Sequence, residues 1–169
     1  MDHFARATDE LAVAQAARTL QRNFQGYSTR AGAEILAVGI SAISQTPFSY
    51  RQNHKTLVPY YAALDRGEAP VDRGLELTEE DHRRREIIMR VMCHLALDYA
   101  ALSREFGFDF ATRYAAELAQ LRPLADGGLV QLSPGGLRVT DLGRLFLRST
   151  AVCFDARHSA GSNRHSRSV

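Results

Sequence analysis

Gly128-Leu129-Val130-Gln131-Leu132-Ser133-Pro134-Gly135-Gly136-Leu137-Arg138-Val139-Thr140 is the stretch that decides the fold class of this 169-residue chain. Apolar and polar residues alternate on both sides of Ser133-Pro134-Gly135-Gly136, which is turn chemistry, so the stretch predicts a β-hairpin. Thr140 then caps a helix carrying Leu142, Leu145, Phe146 and Val152. Working upstream, Asp109 caps a helix with Phe110, Tyr114, Leu118 and Leu121 on one face, closed by Pro123 and Gly127-Gly128. A shorter helix covers Tyr99–Phe106 and stops at Gly107. Thr78-Glu79-Glu80-Asp81 is a helix start, with acids placed at the positive end of the dipole. Ile87, Ile88, Val91, Met92 and Leu95 follow at helical spacing. Helices followed by a hairpin predict a mostly helical, winged-helix-like domain over residues 74–156.

The region before it has another character. Residues 9–21 read as a helix capped by Asp9, with Leu11, Val13, Ala14, Ala17 and Leu20 apolar. Residues 23–32 are polar and glycine-bearing, a loop or a short irregular strand. Residues 35–43 are almost continuously apolar and read as a strand buried on both faces, ended by Pro47. Residues 54–65 form a helix whose start Pro59 delays. A helix, a loop and a buried strand suggest the last piece of an α/β barrel-like domain. Arg66-Gly67-Glu68-Ala69-Pro70 is a linker. The expected organisation is therefore α+β: residues 1–70, residues 74–156, and a disordered tail over 157–169, where nothing is apolar enough to bury.

Composition excludes several classes. No apolar run reaches membrane-spanning length, and the N-terminus has no signal pattern, so a cytoplasmic chain without a membrane partner is expected. Two isolated cysteines, Cys93 and Cys153, make no disulfide framework. They read as buried, inert thiols. The formal charge is +2, but the tail's Arg157, Arg164 and Arg167 carry it; without them the body is at −1. That is not a nucleic-acid-binding face. Arg83-Arg84-Arg85 reads as a solvated helix face balanced by Glu79, Glu80, Asp81 and Glu86. His82, His94, His158 and His165 lack metal-ligand spacing.

Three blocks remain: Arg22-Asn23-Phe24-Gln25-Gly26-Tyr27-Ser28-Thr29, Gly39-Ile40-Ser41-Ala42-Ile43-Ser44, and Gln52-Asn53-His54-Lys55-Thr56-Leu57 leading to Tyr60-Tyr61. Their order and spacing resemble the end of the catalytic domain of bacterial oxygen-independent coproporphyrinogen III oxidase. The pattern Gly128–Val130 followed by Gly136–Leu145 resembles that family's C-terminal domain. The haem-chaperone branch of the same superfamily has Tyr-Trp near the first block, and this chain has no tryptophan. The tail from Arg157 does not resemble the family. Cys93-His94-Leu95-Ala96-Leu97-Asp98 stands where the family has Cys-Asn-Phe-Arg-Leu-Asp.

The resemblance implies a radical S-adenosylmethionine enzyme. A 5′-deoxyadenosyl radical drives oxidative decarboxylation of coproporphyrinogen III to protoporphyrinogen IX in a monomeric parent enzyme. The [4Fe-4S] cluster of that family sits on a Cys-x3-Cys-x2-Cys loop, which this chain lacks, so no cluster or S-adenosylmethionine is expected on the chain alone. The expectation is the C-terminal portion of such an enzyme, beginning at an internal methionine and inactive by itself. By the resemblance, Gln25 and Ile43 line the S-adenosylmethionine and substrate pocket. On the sequence alone, Gln25 reads as a solvated loop residue and Ile43 as a strand core residue. Arg22, Arg51 and Lys55 are candidate anchors for the substrate's propionates, because arginine grips a carboxylate bidentately; ordinary surface charge is the alternative. Two other classes stay open. One is a free winged-helix regulator, which a salt-sensitive gel shift would reveal. The other is a tetrapyrrole-binding helper without chemistry.

Overall fold

The computed structural model describes residues 5–158. The described residues divide into two compact units, one of residues 5–29 with 83–158 and one of residues 30–82. The sequence reading instead grouped residues 1–70 and 74–156. By contact, the first segment groups with the helical unit. The disorder expected for the tail lies almost wholly outside the described residues.

Helix α1, Glu10–Ala16, begins where expected, with Asp9 accepting the Leu11 N–H. It is shorter than the expected 9–21. Arg18 takes a left-handed φ of 57° and turns the chain out of the helix. The chain then forms a small hairpin from β1, Gln21–Asn23, and β2, Gly26–Ser28.

The unit of residues 30–82 holds an antiparallel sheet of β3, Ile43–Gln45, β4, Ser49–Asn53, and β5, Val71–Glu76, in the order β3-β4-β5. Helix α2, Leu57–Asp65, lies between β4 and β5 in sequence. Pro59 sits in its first turn, where a backbone N–H has no intrahelical partner to lose. The strand expected over 35–43, buried on both faces, is absent. Ile35 makes one bridge to Gln45, and the Ala37 N–H goes to the Ser44 hydroxyl at 3.0 Å. Gly39 and Ser41 have positive φ, which ends any extended ladder. Leu36 and Val38 are 79% and 92% exposed, so apolarity here does not mean burial. Only β3 of the expected strand is extended, and it starts at the last residue of the predicted range.

Helix α3, Glu79–His94, opens with the expected capping box. The Asp81 N–H donates to Thr78 Oγ1 at 3.2 Å, and the Thr78 N–H donates to Asp81 Oδ2 at 2.9 Å. Its Ile87, Val91 and Cys93 are fully buried. β6, Ala96–Asp98, follows; then α4, Tyr99–Phe106, is capped by Asp98 and terminated by Gly107 at φ 77°. The helix expected after Asp109 is broken into α5, Phe110–Arg113, α6, Ala115–Gln120, and α7, Arg122–Asp126. Pro123 lies in the first turn of α7 rather than ending a helix. The opening hairpin is β7, Val130–Ser133, against β8, Gly136–Val139, and β8 also pairs with β6 to give the order β6-β8-β7. Thr140 accepts the Gly143 N–H at 2.9 Å and starts α8, Asp141–Leu145; α9, Leu147–Val152, ends the described helices.

The core of this helical unit packs Phe110 between Tyr99, 5.1 Å away and stacked, and Tyr114, 5.0 Å away and tilted. Ile87, Leu102, Leu121, Val130 and Phe154 complete it. Arg84 ties α3 to α6 by a 2.7 Å ion pair with Glu117. Its other nitrogen donates to the Phe154 carbonyl at 3.0 Å. A half-buried pair with a satisfied second nitrogen avoids the cost of an unmatched charge.

Candidate functional site

The β1–β2 hairpin carries Arg22, Gln25 and Tyr27. Asn23 side-chain oxygen accepts the Gln25 N–H at 2.8 Å, an Asx turn that fixes the loop and leaves Gln25 exposed at its tip. Arg22 pairs across the ladder with Tyr27, and its guanidinium stands 5.8 Å from the centre of that ring. The Arg22 N–H points at Met89 Sδ at 3.1 Å, and the Tyr27 hydroxyl donates to the Met92 carbonyl at 3.5 Å. Both contacts seat the hairpin on α3. Arg22 Nε is buried without a hydrogen-bond partner among the described residues. A buried donor left open this way costs free energy unless a ligand or water meets it.

Ile43, Arg51 and Lys55 lie in the other unit. Ile43 opens β3 opposite Gln52, and Arg51 sits across from Ser44 on one side and Gly74 on the other. Ile43 is half-buried; Arg51 and Lys55 are exposed. Polar side chains organise this region. Asn53 donates to the Gly39 carbonyl at 2.9 Å, and Gln52 to the Ser41 carbonyl at 3.1 Å. Gln52 also accepts two bonds from Arg73, at 2.8 and 2.6 Å. His54 accepts the Ser41 N–H on its carbonyl at 2.8 Å and places Nδ1 3.4 Å from Asp72. The glycine-to-serine block of residues 39–44 is thus pinned to residues 52–54 by side-chain amides. The structure brings Arg22 and Gln25 together on one hairpin and Ile43 and Arg51 together on one strand pair, with the two groups in different units.

An open groove of about 680 Å³ in the helical unit adjoins the hairpin, lined by Leu11, Gln15, Leu20, Tyr27, Asp141 and Arg144 among others. The volume is in the range of ligand clefts. The sequence reading did not single out Gln15, Asp141 or Arg144. Gln15 falls one turn after Leu11 on α1, and Arg144 one turn after Asp141 on α8, so helical spacing was the available signal.

The donor set does not fit an iron–sulfur cluster. Burial pushes the Cys93 thiol up to about 11, with Arg22 pulling weakly the other way, and Cys153 is also raised by burial. Cluster ligation needs thiolates converging on one point. Among the described residues no group of three His, Cys, Asp or Glu side chains is placed to hold a metal ion. Among them, too, no helix is long and apolar enough to cross a membrane.

Residues 77–146 match the HemN C-terminal domain family. Over 156 residues, 92% of this chain, the sequence is 46% identical to the oxygen-independent coproporphyrinogen III oxidase of Salmonella typhimurium, covering 34% of that protein. The Thermostichus vulcanus protein of the same name is 45% identical over 92% of this chain and 48% of its own length. A solved structure, the coproporphyrinogen III oxidase HemN from Escherichia coli, described as a radical SAM enzyme, superimposes with a TM-score of 0.86 at 44% identity. The match covers 92% of this chain and 36% of that one. The chain thus spans between about a third and a half of the length of these relatives.

Proposed function

Because the chain belongs to the oxygen-independent coproporphyrinogen III oxidase family, through that family's C-terminal portion, we propose that it supplies this portion of an enzyme converting coproporphyrinogen III to protoporphyrinogen IX. The observation that carries the reading is the 0.86 TM-score at 44% identity over 92% of the chain. Residues 1–70 act as the closing segment of the radical-SAM domain. Residues 74–156 act as a winged-helix-like C-terminal domain, a description supported by α3 and α4 beside the β6-β8-β7 sheet. The assembled enzyme is cytoplasmic and monomeric.

Gln25 and Ile43 line the pocket for S-adenosylmethionine and substrate. The Asx turn at Asn23 supports the first role, because it presents the Gln25 amide from a fixed loop. Arg22 is the best-supported propionate anchor, since it shares the hairpin with Gln25 and a guanidinium suits a carboxylate. Arg51 and Lys55 are exposed and serve as outer anchors. The chain offers no cluster ligands, so turnover requires the remainder of a longer protein.

The test is a chimera of the Salmonella typhimurium relative in which its matching segment is replaced by this chain. Anaerobic formation of protoporphyrinogen IX by the chimera, and none by the free chain, is expected. Gln25→Ala in the chimera lowers turnover about tenfold or more without moving the melting temperature, because the amide sets geometry rather than packing. A folded, cluster-loaded chimera that forms no product defeats the reading.

A further inference from the structure

The unit of residues 30–82 has its apolar groups on the outside. Ala63 is its one fully buried apolar residue among those described, while Gln45, Ser49 and Asn53 are buried polar residues. Helix α2 shows the inversion most clearly. Leu57, Tyr61 and Leu64 recur at i, i+4 and i+7, so they share one helix face with Val58 beside it. They are 57%, 57% and 44% exposed, and Val58 is 81% exposed. The opposite face is spent on Ala63. The segment that pins this helix's entry, residues 39–42 bonded to residues 52–54, continues into Leu36, Val38 and Ile40, which are also exposed. A solvated helix face is normally polar, and an apolar stripe of this width marks a contact surface.

We propose that the Leu57–Val58–Tyr61–Leu64 face of α2 docks against the part of the longer family chain that lies outside the match. The inference rests on the proposed function. About two thirds of the Salmonella typhimurium relative is not covered by this chain, although the chain itself matches over 92% of its residues. The matched portion of the family therefore exposes a face that the unmatched portion is available to cover. The sheet edge is not the docking element. The exposed edge strand β5 carries Asp72, Arg73 and Glu76, charges that keep an edge from pairing. The occupant is an apolar surface of that unmatched portion, seated on side chains rather than on backbone groups.

Thiol footprinting tests this. Val58→Cys is made in the free chain and in the Salmonella chimera, with Gln131→Cys on exposed β7 as the reference. The native thiols give little background, since Cys93 is buried with its thiol near 11 and Cys153 is also raised. In the free chain Val58→Cys is expected to alkylate as fast as Gln131→Cys. In the chimera it slows by about tenfold or more, because thiol reactivity follows access, while Gln131→Cys is unchanged. If the Val58→Cys chimera is insoluble, Leu64→Cys on the same face gives the same readout. Equal labelling of the face in chimera and free chain overturns the proposal. So does concentration-dependent protection in the free chain alone, which assigns the face to a second copy. Protection in a chimera that makes no product leaves the docking face standing and removes the function, so the two failures are distinct.

Discussion

The two units spend their apolar residues in opposite ways. In the helical unit, Phe110, Tyr114, Ile87, Leu102, Leu121 and Phe154 are all at 0% exposure, and Tyr99 is at 7%. In the unit of residues 30–82, Leu36, Val38, Phe48 and Val58 are between 78% and 92% exposed. The first unit is held by interlocked aromatic rings and helix caps. The second is held by a three-stranded ladder and by the amides of Gln52 and Asn53. Hydrogen bonds of that kind contribute about 1 kcal/mol each net, whereas each buried large apolar side chain contributes about 1.5–3 kcal/mol. One region carries its own core, and the other carries a surface.

The largest expected effect follows directly. Hydrogen exchange should find residues 87–95 protected by about 3 kcal/mol or more beyond residues 35–43, because opening free energy tracks buried apolar contact and paired backbone. The amides of residues 36, 38 and 40 should exchange close to the unstructured rate. Equal protection of the two stretches in a monomer breaks the comparison and makes residues 30–82 a self-sufficient domain.

How much of this was legible in the sequence depended on local chemistry. Capping was readable: Asp9, Thr78 with Asp81, Asp98, Asp109 and Thr140 all mark helix starts, and all except Asp98 were identified by residue type and spacing alone. Gly107 ended α4 as expected, because few other residues accept its φ of 77°. The β7–β8 turn was equally local. Strands β4, β5 and β6 were not found. Their sequences, such as Ser49–Asn53 and Val71–Glu76, are too polar for an apolar-alternation signal, and their pairing partners are distant in sequence. Residues 35–43 failed for the opposite reason. Their apolarity predicts an interior strand, but positive φ at Gly39 and Ser41 bends the backbone, and Leu36, Val38 and Ile40 stay exposed. Of the site, the hairpin block and the residue 39–44 block were visible as motifs. The open Nε of Arg22 and the groove beside Tyr27 were not, since both arise from long-range packing on α3.

An intermediate effect sharpens the contrast at two glycines. A Cβ on Gly143 would overlap the Leu129 carbonyl oxygen and crowd Val139. Gly143→Ala should therefore lower the stability of the helical unit by about 1–3 kcal/mol, the cost of overpacking where backbone must move. At Gly74 in β5 an added Cβ meets the Tyr50 carbonyl oxygen at 3.4 Å and Arg51 Cγ at 3.8 Å, ordinary contacts. Gly74→Ala should leave its unit unchanged or stabilise it by up to about 1 kcal/mol, through the reduced freedom of the unfolded chain. Denaturation followed by hydrogen exchange in each unit separates the two. Equal penalties would mean that the sheet is as tightly packed as the core, and the comparison would fall.

The smallest expected effect is a pH dependence confined to the helical unit. His94 ends α3 half-buried, and its Nε2 is buried without a hydrogen-bond partner among the described residues. Burial lowers its pKa below the ordinary 6.5, Arg90 and Arg18 lower it further, and Glu86 opposes them. A lowered folded pKa means that the unfolded chain takes up the proton first as the solution is acidified. The stability associated with neutral His94 is therefore fully present above about 6.5 and is lost as the pH falls through the lowered folded value. His94→Asn removes the titration. The variant should lose less stability than the wild type between neutral and mildly acidic pH, and the difference should be seen in the α3 amides and not in those of residues 43–53. The effect is small because the ring is partly in contact with solvent, which screens its neighbours. Parallel melting curves of variant and wild type across that range would show that His94 is not the group sensing the interior.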